Sequence, residues 1–252
     1  MNLDRIRSYC GEPTEVDRAG FIYPVRLIEW ERFTQLASMY LMTCDLFLRR
    51  RLSLSDEIKL FDFVTIQAVL ASKDGEERLK ELEELFSIVF RTQVQYRIRK
   101  TTKMPEIYFL VNKMGIIDRD NYEEVRRVIM EQNILFDPII GKSEAAQQAI
   151  DNAIARLKRG KTDLDIESMF VAVSMFKKDI DINELTYYQL RADYEMLTRI
   201  EQNRIIPIYQ VNGVKIEQTE LSKPLSIHKN PYGMDVLFKK RDDNKVQSMM
   251  KS

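Results

Sequence analysis

His228 is the one histidine among 252 residues, so any Ser–His–Asp or Cys–His catalytic arrangement must use it. It stands between Ile227 and Lys229, in a stretch of prolines and polar residues that offers a general base no rigid frame. It reads as a surface residue. The two cysteines, Cys10 and Cys44, form neither a CxxC pair nor a zinc spacing. They read as idle thiols of a reducing compartment.

Among the carboxylates the clustered candidate is "DRDNYEE", residues 118 to 124. It lacks the glycine and the terminal ligand spacing of an EF-hand loop. Helix capping by Asp118 and Asn121 accounts for it. Glu29, Glu31 and Glu57 read as carboxylates on helix surfaces. "GKS" at 141 to 143 is similar to the end of a P-loop, but the position five before Gly141 is Phe136 instead of glycine. Without that glycine the backbone amides cannot wrap a phosphate. The basic run "RTQVQYRIRKTTK", residues 91 to 103, mixes Arg91, Arg97, Arg99, Lys100 and Lys103 with Tyr96, a mixture that can hold single-stranded nucleic acid. Acidic "EERLKELEE" directly upstream can neutralise it, and solvated charge is the default reading. The expectation is a protein with no catalytic residue, no metal ligands and no cofactor.

The totals agree. Lys and Arg number 39 and Asp and Glu 39, so no global field favours nucleic acid or an anionic membrane. Eight glycines and seven prolines argue against a turn-rich β sandwich. Twelve methionines suit irregular cores and adaptable binding surfaces, with core filling the main role. "MNLDRIRSYCGEP" has no apolar h-region, and no window approaches eighteen apolar residues. An intracellular protein outside the membrane is expected.

Periodicity supplies the elements. "FIYPVRL", residues 21 to 27, suits an edge strand because Pro24 cannot donate to a ladder. Phe33, Leu36, Ala37, Tyr40, Leu41 and Cys44 recur at helical spacing, ending in Arg49, Arg50 and Arg51. A second helix follows from "SLSDEIKL", and a third carries Leu79, Leu82, Leu85, Phe86, Val89 and Phe90. "VQYRIR" alternates as a strand would. "EIYFLVN", 106 to 112, is the best strand and would pair with it or with "FIYPVRL". A helix from Tyr122 to about Asn133 ends at the break "FDPIIGKS". Helices then cover "SEAAQQAIDNAIARLKRG", with Gly160 as C-cap, "IESMFVAVSMF" and "NELTYYQLRADYEMLTRIEQNR". "IIPIYQVNGVKIEQ" predicts a hairpin about Asn212-Gly213.

The expected fold is α+β and mainly α-helical, with a small antiparallel sheet and a C-terminal β-hairpin. The expected organisation is an N-terminal lobe over 1–140, a helical lobe with the hairpin over 141–222, and an extended arm over 223–252.

Three stretches, "GFIYPVRLIEWERF", "GIIDRDNYEEVRRVIMEQNIL" and "MFVAVSMFKKDIDINELTYYQLRADYEML", together resemble the tail-assembly-chaperone-like proteins of tailed phages of Gram-positive bacteria. The likeness spans residues 11 to 215 and is one of pattern and order. It implies a non-enzymatic protein of the infected cell's cytoplasm. Such a chaperone keeps the long, apolar tape measure protein soluble until the tail tube forms, and often self-associates. A structural virion component of the tail, connector or baseplate is the alternative, and a nucleic-acid-binding regulator using 91–103 the third reading.

The resemblance transfers no binding residue. From the residues alone, Tyr187, Tyr188, Tyr194 and Met196 are the candidate partner contacts, since tyrosine joins a large apolar ring to a polar tip. Tyr187, Leu190, Tyr194 and Leu197 fall on one seam expected to face "IESMFVAVSMF", leaving Tyr188, Met196 and Ile200 off or beside it.

Overall fold

A computed structural model describes residues 3–42, 59–70, 75–99, 106–139, 141, 143–159, 165–178, 180–212, 225–231, 233 and 237. Cys44, the Arg49–Arg51 run, Glu57, Lys100, Lys103, Gly160, Gly213 and the end of the C-terminal arm lie outside them. The fold is α+β and mainly helical. Residues Met1–Asp137 and Ile166–His228 form one compact unit, and Pro138–Asp165 with Lys229–Ser252 form a second.

The first unit opens with α1 (Leu3–Tyr9) and an antiparallel ribbon of β1 (Thr14–Val16) and β2 (Gly20–Ile22). A 3-10 turn, Leu27–Glu29, leads into α2 (Trp30–Tyr40), which buries Trp30, Phe33, Leu36, Ala37 and Tyr40 along one stripe. Helices α3 (Leu60–Leu70) and α4 (Gly75–Phe90) follow. The inner face of α4 is Leu79, Leu82, Leu85, Phe86, Val89 and Phe90, as the heptad-like spacing predicts.

Strands β3 (Val94–Arg99), β4 (Glu106–Val111) and β5 (Gly115–Ile117) make an antiparallel sheet in that order. "VQYRIR" is thus the partner of "EIYFLV", with Val94 opposite Val111 and Arg99 opposite Glu106. Gly20, Phe21 and Ile22 pair with β1 instead, because Pro24 ends the segment early and the second edge of β4 is taken by β5. Phe109 of β4 faces the core, its ring 5.0 Å from Phe86 and 6.4 Å from Phe61.

Both edges of this sheet meet other parts of the chain, the β3 edge along its first half. On the β3 edge Val94 N–H donates to Ser87 Oγ at 3.1 Å and Tyr96 N–H to Glu83 Oε1 at 2.6 Å, so α4 side chains stand where another strand would add. On the β5 edge Ile116 N–H donates to the Arg18 carbonyl at 2.7 Å. That approach requires Gly115: a Cβ there would lie 2.4 Å from Ala19 O.

Helix α5 (Tyr122–Gln132) follows, burying Tyr122, Val125, Val128 and Ile129. Two of its side chains finish α2: Tyr122 OH donates to the Tyr40 carbonyl at 2.7 Å, and Arg126 Nε donates to that of Leu41. These carbonyls are left open at a helix C-terminus and must find donors. Gln132 and Asn133 tie α5 to the N-terminal ribbon. Gln132 Nε2 donates to Thr14 Oγ1 at 2.9 Å, and Val25 N–H donates to Asn133 Oδ1 at 2.9 Å.

The second unit contains α6 (Glu144–Lys158), capped by Ser143, whose side chain accepts from Ala146 N–H. Helices α7 (Ile166–Ser174) and α8 (Tyr187–Val211) return to the first unit. A short bridge holds them there: Leu27 N–H donates to the Leu185 carbonyl at 2.9 Å and Tyr187 N–H to that of Val25 at 3.3 Å.

The hairpin expectation fails in its first arm. Ile205–Val211 continues α8 instead of forming a strand. A helix already running from Tyr187 gains a hydrogen bond per added residue, which outweighs the β preference of two isoleucines. Pro207 is accommodated inside the helix, and Asn212 ends it by donating Nδ2 to the Ile208 carbonyl at 2.8 Å. The second arm lies outside the described residues.

Candidate partner-binding surface

Helix α8 carries the four candidate contacts, and the structure separates them. Tyr187 stacks on Trp30 with ring centroids 3.7 Å apart and planes 14° from parallel, joining the main core. Leu190 is fully buried with Met169 and Val173 of α7, while Tyr187, Tyr194 and Leu197 pack around them. The seam read from the sequence therefore faces the helix expected.

Tyr188 points elsewhere. It is 3% exposed, in a separate cluster with Ala192 and Ile227, and its hydroxyl lies 2.8 Å from His228 Nε2. Burial pushes that hydroxyl up to about 12. Met196, 38% exposed, is the most open of the four. Tyr187 and Tyr188 are thus engaged within the chain.

Exposed apolar side chains gather at α7. Its inner residues Met169 and Val173 are buried, yet Val171, Met175 and Phe176 on its outer side and the following turn are 52%, 77% and 54% exposed. Large apolar side chains grouped at the surface mark a candidate contact, here beside the exposed Glu167, Ser168 and Ser174. The sequence expectation read "IESMFVAVSMF" for its inner face alone, so this outer face went unread. Its signal was the scarcity of polar residues: between Glu167 and Lys177 only Ser168 and Ser174 interrupt the apolar run. At the far end of α8, Ile205, Ile208 and Val211 are also exposed.

Polar anchoring holds α7 and α8 in place. Asp193 accepts from Tyr9 OH at 2.8 Å and from Lys177 Nζ at 2.5 Å, joining α1, α8 and the turn after α7. Burial raises the Tyr9 hydroxyl, and its bond to the Asp193 carboxylate adds to this.

The other chemical candidates make contacts within the chain. In "DRDNYEE", Asp118 pairs with Arg18 and accepts from Asp120 N–H at 3.0 Å. Asn121 corrects the capping expectation: its Oδ1 accepts from Asp118 N–H at 2.9 Å and makes no cap bond to α5. Its Nδ2 donates to the Ile116 carbonyl at 2.7 Å, so it braces the turn leading into the helix. Gly141 of "GKS" donates its N–H to Gln147 Oε1, and Ser143 caps α6. In the basic run Arg91 donates to the Pro24 carbonyl and stands over the Tyr23 ring, while Arg99 pairs with Glu106. Glu29 pairs with Arg26. Among the described residues no group of three His, Cys, Asp or Glu side chains could hold a metal ion. No helix among them is long and apolar enough to cross a membrane.

No protein-family model matches the chain, and neither does a curated protein or a solved structure.

Proposed function

We propose that this protein is a non-enzymatic tail assembly chaperone of a tailed phage, and that it holds the apolar helices of a tape measure protein on the outer face of α7. One observation carries the reading: Val171 on α7 and Met175 and Phe176 in the turn after it are exposed, while Met169 and Val173 of the same helix are buried. Met175 and Phe176 supply polarizable, adaptable area that can accept varied apolar side chains along a long partner. The resemblance in the order of segments supplies the partner class.

Co-expression with the tape measure protein of the same phage tests this. The chaperone keeps that protein in the soluble fraction and co-purifies with it. Unchanged solubility and no complex refute the reading. Finding the protein as a stoichiometric part of purified particles instead favours a structural role in the tail, connector or baseplate.

A further inference from the structure

Residues Leu225–His228 lie against the first half of α8, and the contact has the parts of a peptide-binding site. The Glu195 carboxylate accepts two consecutive backbone N–H groups, Ser226 through Oε1 at 2.6 Å and Ile227 through Oε2 at 2.9 Å. Arg199, one turn further along the helix, pairs with the same carboxylate and fixes it. Between those amides and the next residue, Ile227 is 4% exposed, packed with Tyr188, Ala192 and Ile134. His228 then closes the contact on the Tyr188 hydroxyl, its ring centroid 5.5 Å from that of Tyr188.

A carboxylate reading paired main-chain amides, a recess for one aliphatic side chain and a hydroxyl for the residue after it recognise a short turn of peptide by shape and backbone. The occupant here is the chain's own. Reach permits it: α8 covers about 25 Å from Glu195 to Asn212 at ~1.5 Å per residue. The thirteen steps from Asn212 to Leu225 can span roughly 45 Å. The cluster itself is small, with Tyr188, Ala192 and Ile227 as its buried members, whereas α8 is held independently by Leu190 against α7 and by Tyr187 on Trp30. Few buried contacts in one place and many in the other separate the free energies of opening.

We propose that Glu195 and the recess formed by Ile134, Tyr188 and Ala192 are a docking site for a short peptide turn, and that Leu225–His228 is its built-in, detachable ligand. The segment is a clasp that opens as a unit while α8 stays folded.

Amide hydrogen exchange on the full-length chain tests it, comparing wild type with Glu195→Gln and Ser226→Pro. Ser226→Pro deletes the N–H and hydroxyl donors of Ser226 without touching α8. In the wild type, Ser226 and Ile227 exchange more slowly than an open chain of the same sequence. Glu195→Gln lowers protection at Ser226 and Ile227 about tenfold or more, the worth of a charge-assisted bond, and Ser226→Pro does so at Ile227. In both variants Leu190 and Ala192 hold their protection. Three results overturn the proposal: wild-type Ser226 and Ile227 exchanging at the open-chain rate, protection unchanged in both variants, or α8 amides losing protection in step with the clasp.

Discussion

Tyr187 lies flat on Trp30, ring centroids 3.7 Å apart, although 156 residues separate them in sequence. Through this contact the first turn of α8 is built into the core of the N-terminal elements, beside the short bridge of Val25 and Leu27 to Tyr187 and Leu185.

Because the ring makes the stack but is only partly buried, Tyr187→Ala costs about 2–3 kcal/mol, below the range for a fully buried aromatic. Tyr187→Phe keeps the stacked area and costs under about 1 kcal/mol. Urea denaturation followed by Trp30 fluorescence measures both.

Gly115→Ala drives a methyl to within 2.4 Å of the Ala19 carbonyl and 3.1 Å of Val111 Cβ, where backbone on one side cannot give way. The loop at Arg18 must lift from the β5 edge. The expected loss is about 1–3 kcal/mol in equilibrium unfolding, as for overpacking elsewhere.

Ile134 has φ 55°, a left-handed backbone unusual for a β-branched residue, just past the end of α5. Leu135 N–H reaches back to the Met130 carbonyl at 2.9 Å, the closing bond of a helix end normally reserved for glycine. Its side chain packs on the cluster of Tyr188, Ala192 and Ile227, which gives a physical reason for the isoleucine. Ile134→Ala loses the packing and keeps the strain. Ile134→Gly loses the packing but relaxes the backbone, and is therefore the less destabilising by about 1 kcal/mol in the same unfolding assay.

Acid weakens the clasp. Burial lowers the pKa of His228 below its ordinary 6.5, with Arg5 adding to the effect and Glu195 opposing it; Tyr188 faces the imidazole directly. At Glu195 burial pushes the carboxyl up, but the Ser226 bonds and Arg199 outweigh it and hold it below 4.5. His228 binds a proton more readily in the open segment, and Glu195 does so once opening removes its Ser226 bonds, its pairing with Arg199 being common to both states. The docked state is therefore favoured fully above pH 6.5 and loses support as pH falls through the depressed pKa of His228, then further through that of Glu195. Protection at Ser226 and Ile227, corrected for intrinsic exchange, falls from pH 7.5 to pH 5. His228→Phe removes the first part of that fall and leaves the Glu195 part.

The helices were legible because their apolar spacing is local. Leu79 through Phe90 and the Tyr187–Leu190–Tyr194–Leu197 seam each follow a 3.6-residue period that survives any tertiary context. The β4–β5 hairpin was not, because its turn uses Asn112 and Lys113 in left-handed conformations without the glycine that usually marks them. Residues 205 to 211 were misjudged because their β propensity is weaker than the extension of an existing helix. His228 lacked a visible role for a different reason. Its partner Tyr188 is forty residues away, and a tertiary contact of that separation leaves no periodic trace. The exposure of Val171, Met175 and Phe176 needed the structure to show which apolar residues of this stretch the fold had already used.

The central claim is that these exposed residues bind the partner, and binding of the tape measure protein by the double variant Met175→Asp, Phe176→Asp tests it most directly. Both residues are exposed, so the variant unfolds within about 0.5 kcal/mol of wild type. The account predicts that the wild type retains the tape measure protein in a soluble complex and that the variant, equally folded, binds it at least tenfold more weakly. Wild-type affinity in the folded variant contradicts it.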